Sequence, residues 1–182
     1  YKTPLYLMDE DRIRANCRIY RGAMEKWFGA GSFPLYASKA ASFKQIYRIM
    51  AQEGMAIDVV SSGEVYTAVH ADFPMERAYF HGNNKTDEDI AYALDSHVGC
   101  FIVDNHQELA RLDEAAGVRG IRQRVLLRVT PGIDPHTLQA INTGRIDCQF
   151  GVPIETGQAA RFVADALSRK NLIIEGFHSH IG

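Results

Sequence analysis

The strongest constraint on the fold is an alternation. Short runs rich in β-branched and aromatic residues recur along the chain, and longer stretches with helical spacing lie between them. The strand-like runs are PLYLMD (4–9), FPLYASKA (33–40), AIDVVSS (56–62), AYFHGN (78–83), GCFIVDN (99–105), RVLLRVT (124–130) and LIIEGFHSHIG (172–182). Asp9 is placed to cap a helix reaching Lys26, Ser42 to open one to Glu53, and Ser62 to open another to Ala71. Glu88 and Asp89 follow Thr86, which puts acids near the positive end of the next helix, and residues 106–116 and 155–169 are amphipathic. Strand and helix signals in strict alternation predict consecutive βα units on a parallel sheet. Connections are short, and neither G-x-G-x-x-G nor G-x-x-x-x-G-K-[ST] occurs. The chain therefore reads as a (β/α)8 TIM-type barrel truncated after about six barrel strands, counted after the first strand and helix. A doubly wound sheet is the structural alternative.

No linker divides the chain, so residues 1–182 are expected to form a single, incomplete barrel domain. A content of 46% hydrophobic and 23% charged residues suits a globular core. The net charge of -2 gives no electrostatic reason for a nucleic acid or an anionic membrane as partner, which leaves small-molecule chemistry as the expectation. Cys17, Cys100 and Cys148 are odd in number and form no C-x-x-C pair. Neither a disulfide framework nor a zinc knuckle follows, and a reducing cytoplasm fits best. No apolar run approaches the roughly 18 residues of a membrane span. The chain begins without Met and stops at Ile181-Gly182 inside a strand-like run, which suggests a fragment. Such a fragment, with unpaired edge strands, is expected to be inactive alone and prone to associate.

One connection breaks the pattern. Residues 131–154, PGIDPHTLQAINTGRIDCQFGVPI, far exceed the usual ~2 to 6 residues of a βα loop. A long loop there is expected to face the mouth of a site, with Gly132, Gly144 and Gly151 allowing unusual backbone and Asp134, His136 and Asp147 offering polar contacts. Strand phase sharpens this. Alternation puts Leu35, Ala37 and Lys39 on one face, Asp58 with Val60 and Ser62, and His81 with Tyr79 and Asn83. It likewise groups Arg128 with Leu126 and Thr130, and His178 with Ile174, Gly176 and His180. If those faces point inward, a lysine, an aspartate, an arginine and several histidines converge beneath the loop. Each also has a plainer reading. Lys39 can be solvated at a strand end, Asp58 can be satisfied by backbone amides with Arg128 as its salt-bridge partner, and His81 can be a hydrogen-bonded core or loop residue. His178 and His180 together make either a metal site or a stacking platform.

These residues carry a resemblance. YASKA (36–40) resembles the Y-A-x-K-A motif of fold-type III pyridoxal phosphate enzymes, and GFHSHIG (176–182) resembles their ring-stacking histidine motif. With IDVVSSGEVYTA (57–68), HGNNKTDEDI (81–90), RVTPGIDPHT (128–137) and TGRIDCQFGV (143–152), the whole chain is similar to the diaminopimelate decarboxylase family. Ser42 and Gln149 depart from the commoner Asn and Lys at those places. The resemblance implies that Lys39 binds pyridoxal 5′-phosphate covalently, its ε-amine kept neutral by a desolvating strand end. It implies that His180, rather than His178, stacks on the cofactor ring, and that Asp58 and Arg128 tune protonation nearby. His81, Asn83 and His178 would line the site, with no resident metal. The implied reaction is decarboxylation of meso-2,6-diaminopimelate to L-lysine and carbon dioxide, in lysine biosynthesis, by a cytoplasmic homodimer. Its phosphate-binding loop, the acid facing the pyridine nitrogen and a C-terminal β-domain would lie beyond Gly182. Three alternatives stay open. One is a relative acting on ornithine or lysine, and another is a non-catalytic pyridoxal phosphate-binding barrel. The third is a metal-dependent hydrolase, with zinc on His178, His180 and Asp58 and Lys39 as a carbamate. Against the last, its H-x-H would be expected on the first barrel strand and here falls on the sixth.

Overall fold

The computed structural model describes residues 2–133 and 150–181. In chain order the elements are α1 (Glu10–Phe28), β1 (Leu35–Ala37), α2 (Lys44–Gln52), β2 (Ala56–Val59), α3 (Ser62–Val69), β3 (Ala78–Phe80), α4 (Asp87–Asp95), β4 (Cys100–Val103), α5 (His106–Val118), β5 (Gln123–Thr130), β6 (Val152–Pro153), α6 (Gln158–Ser168) and β7 (Leu172–His178). Side-chain caps set several helix starts, because the first backbone N–H groups of a helix have no partner within it. Asp9, Ser61, Thr86 and Asn105 each accept from the amide three residues on, and Thr86 with Asp89 completes a reciprocal capping box.

All strand pairs are parallel. β1 to β5 pair in chain order, β7 pairs with β5, and the two-residue β6 joins the far end of β5 at Val129 and Thr130. A doubly wound sheet grows in two directions from a central strand. This sheet grows in one direction only, as a barrel does, and its six longer strands form an open arc. One face carries Ile57, Val59, Phe80, Phe101, Val103 and Leu127 into the main core, against Met50, Val65, Leu94, Leu109 and Phe162 of the helices. The other face carries the smaller cluster of Ala56, Tyr79, Cys100 and Ile102, with Leu126 against it.

Several local expectations do not survive. Residues 4–9 form no strand: Tyr6 and Leu7 are 94% and 92% exposed, so nothing holds this run in a sheet. The strand expected over 33–40 ends at Ala37, and a 3-10 turn, Ser38–Ala40, follows it. Ser42 caps no helix, since α2 begins after Phe43 without a side-chain cap, and α3 ends at Val69. β7 stops at His178, and an irregularity opposite Val125 and Leu126 breaks its alternation. Ile174 therefore packs with the outer core, while Gly176 pairs with Leu126 and His178 with Arg128. Among the described residues no helix is long and apolar enough to cross a membrane.

Candidate active site

Parallel strands deliver their C-terminal ends to one side of the sheet, and the chemistry-bearing residues sit there. Lys39 lies in the turn after β1, Asp58 in β2, His81 just after β3, Asp104 just after β4, Arg128 in β5, and His178 and His180 at the end of β7 and just past it. The sheet's curvature draws two of these ends together. β4 and β5 separate β3 from β7 in the sheet, yet the His81 and His178 rings meet edge to face with centroids 4.7 Å apart. His178 and His180 meet at the same 4.7 Å, and His81 and His180 at 6.3 Å.

Burial sets the electrostatics. Desolvation drives the His81 imidazolium out of reach, lowering its pKa to about 2, with the neighbouring His178 and Lys85 adding to the effect. His178 is lowered to about 4, again mainly by burial and then by His180, and His180 is lowered for the same first reason. The cluster is thus neutral at physiological pH. Asp58 moves the other way: burial raises its carboxyl to about 6, against the pull of the Lys39 ammonium and then of Arg128. Its Oδ1 lies 3.7 Å from His81 Nε2 and has no hydrogen-bond partner. The expectation that backbone amides satisfy this carboxylate oxygen is therefore not met.

Lys39 corrects a second expectation. Its side chain is exposed, and Ser38 is the buried residue of the turn. Because the chain leaves the strand at Ala37, alternation no longer carries Lys39 between apolar walls, so no desolvating strand end surrounds its amine. Position rather than burial distinguishes it. It stands at the mouth, where its charge acts on Asp58, Glu64 and His180.

Arg128 is buried, as its phase suggested, but among the described residues it meets the carboxylate of Asp104, with Nη1 3.4 Å from Oδ1, rather than that of Asp58. The guanidinium also lies over the Phe150 ring, 4.3 Å from its centroid. The long connection after β5 thus returns against the site, and Thr130 Oγ1 donates to the Phe150 carbonyl at 2.8 Å. Gly151, at φ +73°, donates its amide to Asp104 Oδ2 at 3.0 Å. A Cβ there would stand 3.1 Å from both Arg128 Cγ and Thr130 Oγ1, so the close approach requires glycine. Asp134, His136, Gly144 and Asp147 lie outside the described residues. Asn83 is half-buried in a small cleft shared with Val60, Phe80, Lys85 and Asp89.

Sequence reasoning missed an ionic support beneath this mouth. Lys85 and Glu108 are 3% and 1% exposed, and their Nζ and Oε1 are 2.7 Å apart. Lys85 also donates to the carbonyls of Gly82 and Ile102, at 2.8 and 3.0 Å. Glu108 Oε2 accepts from the Asp104 amide at 3.1 Å, and so holds the residue that meets Arg128. A local signal existed: Glu108 stands three residues after its helix's N-cap, Asn105, where an acid turns back over the helix start. Glu64 does the same for Val60 at 2.7 Å. A cavity of about 620 Å³ is an apolar groove between α1, β1 and α2, lined by Ile13, Cys17, Leu35, Ile46 and Met50 among others. The neutral imidazoles and the buried acids place the candidate site at the strand ends instead.

Comparison with known proteins shows the family. The chain matches the family model for the pyridoxal-dependent decarboxylase pyridoxal binding domain over residues 10–182. It is 41% identical to the diaminopimelate decarboxylase of Bacillus subtilis (strain 168), covering 100% of this chain and 41% of that protein. It resembles the crystal structure of diaminopimelate decarboxylase from M. jannaschii with a TM-score of 0.86 and 34% identity, covering 100% of this chain and 43% of that one. The enzyme of the same name from Helicobacter pylori, complexed with L-lysine, aligns with a TM-score of 0.89 and 31% identity, over 100% of this chain and 45% of that one. The chain thus spans about two fifths of the length of the curated relatives it matches.

Proposed function

The chain belongs to the pyridoxal-dependent decarboxylase family, and we propose that it forms the cofactor-binding part of an enzyme that decarboxylates meso-2,6-diaminopimelate to L-lysine and carbon dioxide. The observation that carries the substrate assignment is identity of about 40% spread over the whole chain with relatives of that one name. Lysine complexes among the structural neighbours fit the same product.

The side chains fit pyridoxal 5′-phosphate. Asp58 Oδ1 and the Nδ1 atoms of His81 and His178 are buried without a hydrogen-bond partner, which is unusual for polar atoms in a folded protein and suits a site that takes a polar, flat ligand. Lys39 would hold the cofactor through its ε-amine, and His180 would offer a planar face to the ring. When bound, pyridoxal phosphate supplies the conjugated system that takes up the electron pair left as the substrate carboxylate departs. Asp58, its carboxyl raised to about 6 by burial and within the field of the Lys39 ammonium, can accept or return a proton at neutral pH. Arg128, held by Asp104, fixes a positive charge at the mouth, where it suits anionic groups. The walls of the site, with His81 and Arg128 buried, limit the water that could compete for those protons. Two buried free cysteines, Cys17 and Cys100, are consistent with a reducing cytoplasm, and the family resemblance favours a homodimer for the complete protein.

The test is carbon dioxide release by the full-length protein from carboxyl-labelled meso-2,6-diaminopimelate, with L-lysine as the co-product. Faster turnover of ornithine or lysine would move the substrate assignment, and cofactor binding without any turnover would favour the non-catalytic barrel. The stacking assignment has its own measurement. His180→Ala should weaken pyridoxal phosphate binding about tenfold, the size of a stacking contact near 1.4 kcal/mol, with a smaller change for His178→Ala. Equal losses for the two variants at unchanged stability would remove the distinction.

A further inference from the structure

His81, His178 and His180 offer more than a stacking surface. Each presents a ring nitrogen, and the three lie within 4.8 Å of one another. In a tetrahedral zinc site with Zn–N bonds of about 2.0 to 2.1 Å, the ligand nitrogens stand about 3.4 Å apart. The arrangement needs a modest closure, and His180, exposed beyond the end of β7, can supply it by side-chain rotation. Two independent features point to a ligand. The Nδ1 atoms of His81 and His178 are buried and without a hydrogen-bond partner. The other nitrogen of His81 faces the unpartnered Asp58 Oδ1 at 3.7 Å, which is the carboxylate support that metal-bound imidazoles commonly have.

We propose that the cofactor-free protein binds one divalent transition-metal ion of the zinc class through His81, His178 and His180, with Asp58 orienting His81, and that this ion and pyridoxal phosphate exclude each other. Imidazole donors select zinc, cobalt, nickel or copper over magnesium and calcium. This set differs from the hydrolase arrangement considered above: His81 replaces Asp58 in the ligand sphere, and Lys39 takes no part in it. The Lys39 ammonium and the Arg128 guanidinium, which act on His180, oppose a cation there, whereas Asp58 favours one. Binding by the three histidines stands on their geometry alone. The mutual exclusion rests on the proposed place of the cofactor against His180.

The full-length protein, stripped of cofactor, should be titrated with Co²⁺ followed by visible absorption and with Zn²⁺ followed by calorimetry. One ion per chain is expected, with the visible bands of tetrahedral cobalt and no competition from excess Mg²⁺. His81→Gln and His178→Gln should each weaken binding about tenfold or more. If either fails to fold, judged by circular dichroism, His180→Ala at its exposed position carries the same expectation. Lys39→Ala should keep or improve zinc binding, so that its loss of cofactor is read separately from the metal site. Zinc affinity unchanged in the folded histidine variants, or magnesium binding as well as zinc, would overturn the site. Simultaneous binding of zinc and pyridoxal phosphate would overturn the exclusion.

Discussion

Borohydride treatment of the cofactor-loaded full-length protein should leave a pyridoxyl group on the peptide containing Lys39, and Lys39→Ala should cut turnover by roughly four orders of magnitude, as removal of a covalent catalytic group does. The structure narrows the competitors. Lys85 is buried, and its ammonium is already committed to Glu108 and two carbonyls, so it has no freedom to take up an aldehyde. Lys44 opens α2 and is exposed outside the strand ends. Lys39 alone of these three stands where its charge reaches both Asp58 and His180. Peptide mapping decides the matter: a label on Lys85 or Lys44, or full turnover by Lys39→Ala, would end the assignment. Lys39→Ala should keep its thermal stability, because an exposed side chain takes little packing with it.

The second large effect is on stability. Lys85→Ala or Glu108→Ala should each destabilise the fold by about 3 to 5 kcal/mol, since either change leaves a buried charge without its partner. The cost should be greater for these than for Arg124 and Glu175, which pair at a similar 2.7 Å but are much more exposed. A double variant, Lys85→Met with Glu108→Leu, should recover much of the loss, because the remaining site then carries no orphaned charge. Urea denaturation of Lys85→Met, Glu108→Leu and their combination gives the coupling directly. A loss below about 1 kcal/mol for both single variants would mean that the pair behaves like a surface ion pair. Glu108→Ala should also weaken cofactor binding, because Glu108 holds the Asp104 amide and Asp104 in turn meets Arg128.

The placement of most candidate residues was readable in the sequence. Lys39, Asp58, His81, Arg128, His178 and His180 all come to the strand ends, because parallel βα units must put every such end on one side. Phase put Asn83 on the strand run 78–83, but β3 ends at Phe80 and Asn83 lies in the loop after it, in a separate cleft. What went astray has a common cause. Alternation was carried past the true ends of β1 and β7, so Lys39 was given a buried setting that its 3-10 turn denies it. The apolar run 4–9 looked like a strand because periodicity does not say whether a neighbouring strand exists to pair with it.

By itself the sequence determined the βα alternation after the first helix, the Asp9 cap, the acids that follow Thr86 and the identity of the candidate residues at the strand ends, because each depends on hydrogen bonds and side-chain phase within a few neighbouring positions. Only the tertiary structure decided that Arg128 meets Asp104 rather than Asp58, that Lys85 is buried on Glu108, and that His81 reaches His178 across two intervening strands. Those partnerships follow from sheet register, a bulge in β7 and the curvature of the arc. They join residues about 20 to 100 positions apart, a distance at which local periodicity carries no information.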